Sequence, residues 1–201
     1  MDKRIQMAHR VMDLFRVQPE VKEVALRGSL TEGIPDRYSD IDICVDVSGS
    51  DNGRYVYRVI DLMRENLDLH FFDINCSEVP KYYVLNFYPR GVPVFWQVDV
   101  VCQAEPHCPS VSQAELRAIQ DPVAHLLKAW VCCFKHLVRD PERDETEIRR
   151  WLIPKFDIAL DGVPALEKMK LMLDEIHRRS DDRHTEFIAG CCDALRSLSE
   201  S

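Results

Sequence analysis

Between Asp40 and Val47 the chain alternates without exception, with Ile41, Ile43, Val45 and Val47 on one side and Asp40, Asp42, Cys44 and Asp46 on the other. A period of two is the side-chain period of a β-strand, so one face of this segment must pack on a core while the other carries acids. Two carboxylates at i and i+2 point the same way, with Cα atoms about 6.5 Å apart. They repel each other unless a cation lies between them. Asp40 and Asp42 therefore have the spacing, and the hard oxygen chemistry, of a Mg²⁺ or Mn²⁺ site. Asp46 shares their face but lies about 13 Å beyond Asp42 along a regular strand, too far to share the ion.

Upstream, Val21 to Leu26 predicts a short strand that runs into Gly28-Ser29. A glycine after a strand lets the backbone approach a phosphate closely, and Ser29 adds a hydroxyl donor. A helix beginning there would aim its first amides at the same anion.

The rest of the chain supplies the scaffold. Residues 3 to 16 carry apolar side chains at helical spacing and Pro19 closes that helix, while Arg54 to Asn66 predicts a second one. Leu67 to Ile74 predicts a strand. Residues 81–88 and 93–101, rich in Tyr, Val, Phe and Trp, predict a hairpin around Pro89-Arg90-Gly91. In its second strand Phe95, Gln97, Asp99 and Val101 share a face. A lone acid among such residues is costly unless a partner or a metal compensates it, which makes Asp99 a candidate third carboxylate. With it the site would hold two ions about 4 Å apart, one activating a hydroxyl and one neutralising a triphosphate.

At about residue 103 the composition changes. Asp121-Pro122 predicts a helix start, with Asp as the cap and Pro in the first helical position. Apolar positions from Val123 to Val138 then recur at helical spacing. Further helices are predicted from Glu145 to about Leu160, with a break at Pro154, and over 164–179 and 182–198. Strands and helices followed by helices alone imply an α+β class, a mixed sheet with flanking helices in residues 1–103 and a helical domain in residues 104–201.

Bulk properties narrow the function. The 46% hydrophobic and 30% charged content is that of an ordinary globular protein. A net charge of −8 and the lack of a long Lys/Arg run argue against binding nucleic acid by charge alone, so nucleic acid is an unlikely partner on this reading. No apolar run approaches a membrane span, and Met1 to Gln6 lack a secretion-signal core, so a cytoplasmic location with no membrane partner is expected. The eight cysteines show no zinc-type spacing and are expected to be reduced, mostly core residues. Oligomeric state is not readable from the sequence.

The pattern Gly28-Ser29-x3-Gly33-x5-Ser39-Asp40-Ile41-Asp42 resembles the signature of the DNA polymerase beta superfamily of nucleotidyltransferases. The wording Gly28-Ser29-Leu30-Thr31-Glu32-Gly33, followed by Tyr38-Ser39-Asp40-Ile41-Asp42, is most similar to antibiotic nucleotidyltransferases of the aminoglycoside adenylyltransferase type. The resemblance implies that Gly28, Ser29 and Ser39 hold the nucleotide, that Asp40, Asp42 and Asp99 are the catalytic acids and bind Mg²⁺, and that Asp99 helps deprotonate the acceptor. The co-substrate would be ATP or another nucleoside triphosphate, and the acceptor a small hydroxyl-bearing molecule such as an aminoglycoside.

Similar enzymes use a lysine of the helical domain on the triphosphate, which makes Lys128 and Lys135, with Arg139, candidates on one basic stripe. Two rivals stand beside this reading. One is an antitoxin-type enzyme that modifies a partner protein, and the other is an inactive relative that only binds nucleotide.

Overall fold

The computed structural model describes residues 2–75, 82–108, 110–140, 152–156, 160 and 162–199, which fall into two compact units, Met1–Gln120 and Asp121–Ser201. The division lies later than the change of composition at residue 103. The reason is packing: past the last strand, Val111 and Leu116 are still buried in the core of the first unit.

Helix α1 (Lys3–Arg16) starts on Asp2, whose carboxylate accepts the Arg4 amide at 2.8 Å, and it buries Ala8, Val11, Met12 and Phe15. Strand β1 (Glu23–Arg27) leads into a single helical turn, α2 (Ser29–Glu32), and β2 (Ile41–Asp46) follows. Helix α3 (Asn52–Asn66) is capped by Asp51, which accepts the Arg54 amide at 3.0 Å. Then come β3 (Leu69–Asn75), β4 (Tyr82–Pro89) and β5 (Val98–Gln103). A short helix α4 (Gln113–Ala118) closes the unit, held by a reciprocal pair of bonds between Ser112 and Glu115.

The five strands form one sheet in the order β1-β2-β5-β4-β3. Only β2 and β5 run parallel, and the other neighbours are antiparallel. Ile41, Ile43 and Val45 of β2, with Val98, Val100 and Cys102 of β5, point to the face that carries the core of α1 and α3. The alternation predicted for residues 40–47 is therefore the device that sends apolar side chains to one face and Asp42, Cys44 and Asp46 to the other.

The strand predicted from residue 93 begins only at Val98. Pro93 cannot donate to a ladder, and its carbonyl instead accepts the Trp96 amide at 2.9 Å, holding these residues in a turn. Phe95 and Gln97 thus precede the strand whose face they were expected to share.

In the second unit, α5 (Pro122–Arg139) opens at Asp121, whose carboxylate accepts the amides of Val123 at 2.8 Å and Ala124 at 3.4 Å. It is followed by α6 (Ala165–Arg179) and α7 (Thr185–Ser199). Trp130 and Phe134 of α5 are buried, as are Met169, Met172 and Ile176 of α6 and Phe187 and Cys191 of α7. The Trp130 indole donates to the Met169 carbonyl at 2.8 Å, satisfying the one polar atom of the largest core side chain. Of the helix expected over 145–160, residues 145–151 and 157–159 lie outside the described residues. Ile153–Lys155, which include Pro154, form one 3₁₀ turn.

Candidate active site

Strand register brings the acids together. Asp42 of β2 is paired directly with Asp99 of β5, so residues far apart in sequence stand side by side on one face of the sheet, about 4.8 Å apart at the usual strand spacing. The same row continues in both directions. Arg27 is paired with Asp42, Asn86 with Asp99, and Asp73 with Asn86, giving one polar line across all five strands. Asn86 and Asp73 are buried, whereas Asp42 and Asp99 are half-buried. Asp40 stands one residue before β2.

Gly28 closes one side of this line. It adopts φ 69° and ψ −160°, a conformation essentially restricted to glycine. A Cβ placed there would lie 2.2 Å from Oδ2 of Asp42. The glycine is thus required twice, by the backbone and by the close approach of a carboxylate. Ser29 follows it as the first residue of α2 and is half-buried.

Ser39 has a different setting from Ser29. It is buried, its hydroxyl donates to Asp36 Oδ1 at 2.9 Å and accepts the Asp36 amide at 3.0 Å, and it thereby shapes the turn that delivers Asp40. The hydroxyl expected to meet nucleotide is engaged in the chain's own turn.

Three residues beyond the expected set complete the picture. The Gln97 amide nitrogen donates to Asp99 Oδ2 at 3.1 Å and to Asp40 Oδ2 at 3.3 Å, linking the two acids. Asn86 donates to Asp99 Oδ1 at 2.7 Å. Arg27 is exposed at the open end of the polar line. The signal that singles out Asp99, a polar side chain in an apolar stretch, applies equally to Asn86 and Gln97.

Cys44, between Asp42 and Asp46 on the strand, is buried, and burial pushes its thiol up from the ordinary range while Arg27 acts in the opposite direction. It stays a neutral thiol, unsuited to act as ligand or nucleophile.

The donor set suits a hard divalent cation, since Asp40, Asp42 and Asp99 are all carboxylates and no soft ligand stands in the row of Asp42 and Asp99. Among the described residues, no group of three or more His, Cys, Asp or Glu is drawn together as a closed metal cage. The oxygens of Asp40 and Asp99 instead accept amide hydrogens. The register sets Asp42 beside Asp99, and Gln97 bridges Asp99 to Asp40.

In the second unit, Lys128 is half-buried and Lys135 is buried at 3% exposure, while Arg139 is exposed. The three positions of the expected basic stripe thus differ in their access to solvent.

Residues 9–87 match a family model described as a nucleotidyltransferase domain. That segment is similar to a nucleotidyltransferase domain. It contains Gly28, Ser29, Asp40 and Asp42 but ends before Asp99, whose place rests on the strand register alone. No curated protein matches the sequence.

Among solved structures, the chain is similar to the polymerase core of TRAMP, an RNA surveillance complex, at 12% identity and TM-score 0.40, over 68% of this chain and 41% of that one. It is also similar to Cid1, described for its RNA terminal uridylyl transferase activity, at 15% identity and TM-score 0.35, over 68% and 42%. A cytoplasmic RNA terminal U-transferase gives 15% identity and TM-score 0.37, over 68% and 43%. The chain spans about two-fifths of the length of the first of these.

All three are described through RNA, which stands against the expectation that nucleic acid is an unlikely partner. A net charge averaged over a whole chain does not set the potential of one cleft, where a bound cation can reverse it. No described helix is long and apolar enough to cross a membrane.

Proposed function

We propose that the nucleotidyltransferase domain at residues 9–87, completed by Asp99, transfers a nucleoside monophosphate from a Mg²⁺-bound nucleoside triphosphate to a hydroxyl and releases pyrophosphate. The observation that carries this reading is the direct pairing of Asp42 with Asp99, beside a glycine that only a close backbone approach explains. Asp40, Asp42 and Asp99 would hold the metal. Bound there, Mg²⁺ would neutralise the triphosphate and acidify the attacking hydroxyl.

The chain's own contributions are positional and electrostatic. Asp99 accepts the proton of the acceptor hydroxyl, from a carboxylate whose oxygens are fixed by Asn86 and Gln97. Gly28 leaves room for the Asp42 carboxylate beside the turn, and the Ser29 hydroxyl donates to the phosphate oxygens.

ATP is the proposed donor and the cytoplasm, where nucleotide is plentiful and thiols stay reduced, the proposed location. Two acceptors follow from different observations. The motif wording from Gly28 to Gly33 points to an aminoglycoside or related antibiotic, so antibiotic resistance would be the consequence. The RNA enzymes of similar fold point to an RNA 3′-hydroxyl.

Incubation with each α-labelled nucleoside triphosphate separates them. The acceptors would be an RNA oligonucleotide, its 3′-deoxy counterpart and an aminoglycoside panel. Label on RNA that is lost with the 3′-deoxy end assigns the RNA acceptor, and label on an aminoglycoside assigns the other. Label on a co-purifying protein would replace both. Tight nucleotide binding without pyrophosphate release for any acceptor would refute transfer altogether.

A further inference from the structure

Like charges on adjacent strands push apart, so the convergence of Asp40 and Asp99 needs something to hold it. Gln97 is placed to do so. It is 3% exposed, and its main-chain carbonyl accepts the Ile41 amide at 3.0 Å, which fixes its backbone where β2 and β5 begin. Its side-chain nitrogen reaches Oδ2 of Asp40 at 3.3 Å and Oδ2 of Asp99 at 3.1 Å, one amide group across two carboxylates.

The orientation of that amide is itself determined. Gln97 Oε1 accepts the hydroxyl of Tyr88 at 2.8 Å, and Tyr88 is 1% exposed. A flipped amide would turn its oxygen toward two carboxylates and lose both bonds, so this arrangement is fixed by its partners. Asn86 holds the other oxygen of Asp99.

Asn86 and Gln97 donate to these carboxylates as neutral amides. A lysine or arginine in the same place would also steady the acids, but it would cancel the charge that draws a cation. An amide fixes a carboxylate and leaves its charge intact.

We propose that Gln97, oriented by Tyr88, is a positioning residue that holds Asp40 and Asp99 convergent for a divalent cation. This rests on the proposed function in assigning those acids to a metal.

The test is titration of the full chain with Mn²⁺, followed by the electron paramagnetic resonance of the free ion, with thermal melting run alongside. The proteins are wild type, Asp42→Asn, Gln97→Met, Tyr88→Phe and the Gln97→Met/Tyr88→Phe double variant. Gln97→Met should weaken Mn²⁺ affinity about 10- to 100-fold, the usual range for a partner that orients a metal ligand. Tyr88→Phe, which is nearly isosteric, should weaken it by less, and the double variant should bind no more weakly than Gln97→Met alone, since Tyr88 acts through Gln97. A structural role alone would move melting without this non-additivity.

Wild-type affinity in a folded Gln97→Met, or a full extra loss from Tyr88→Phe on top of it, overturns the inference. If Gln97→Met does not fold, wild-type affinity in Tyr88→Phe overturns it. Loss of binding in Asp42→Asn keeps the metal reading standing whatever Gln97 does. Unchanged binding in Asp42→Asn, or no binding in the wild type, removes that reading and this inference with it.

Discussion

Replacing Gly28 by Ala separates the chemistry of the site from its folding. The added Cβ would sit 2.2 Å from Asp42 Oδ2 and 3.2 Å from Asp42 Cγ, against an ordinary contact of 3.4 Å or more. The carboxylate oxygen must therefore retreat by about 1.2 Å, and a shift of about 1 Å in a catalytic group costs on the order of 100-fold in rate. The backbone adds its own penalty, because φ 69° with ψ −160° strains any residue but glycine by roughly 1–3 kcal/mol.

Gly33→Ala is the internal control. Gly33 also has positive φ, 74°, but a Cβ there meets nothing within 4 Å. It should cost about 1–2 kcal/mol of stability and leave turnover within about twofold. Pyrophosphate release at saturating nucleotide, with thermal melts of both variants, reads the difference. If Gly28→Ala turned over as fast as Gly33→Ala while both stayed folded, the position of Asp42 would not matter to the reaction.

Asp99→Asn should lower transfer by about 1000-fold or more while leaving the melting temperature unchanged or raised, because removing one of several repelling acids relieves the fold; a lowered melting temperature with full activity would reverse the assignment. Ser39→Ala should cost about 1 kcal/mol by denaturant unfolding, from the two side-chain bonds to Asp36, with a smaller loss of activity than Ser29→Ala. Burial raises the Cys102 thiol to about 12 from an ordinary 9.0. The unfolded chain therefore loses that proton first, and this contribution to stability, present below pH 9, should decline as pH rises from about 9 toward 12, which urea titrations across that range would show. In a thiol-labelling experiment at pH 8, exposed Cys108 should react before buried Cys102.

How much of this was legible depended on whether the signal was local. The strand at Ile41–Asp46 announces itself through strict alternation, α1 through a helical period, and α5 through Asp121-Pro122, because each is set by neighbouring residues. The start of β5 was not legible, since the alternation of Phe95, Gln97 and Asp99 runs on through a turn that Pro93 and Trp96 close. The end of the first unit was hidden for a related reason: the polar stretch after Gln103 returns Val111 and Leu116 to a core formed by distant residues.

At the site, Asp40, Asp42 and Asp99 could be chosen from chemistry alone, but their partners could not. Which residues touch Asp99 is set by the register of β4 and β5, and neither Asn86 nor Gln97 belongs to a contiguous motif. Ser39 shows the converse, a motif serine whose hydroxyl is used by its own turn.

The central claim is that Asp99 works with Asp40 and Asp42 as one centre. A crystal structure grown with Mn²⁺ and a nonhydrolysable triphosphate, read through the anomalous signal of the metal, tests it most directly. The account predicts a peak within bonding distance, about 2.2 Å, of carboxylate oxygens from both Asp42 and Asp99, with the triphosphate beside Gly28 and Ser29. A metal and nucleotide bound elsewhere, or a metal held by Asp40 and Asp42 with no oxygen of Asp99 bound to it, would contradict it.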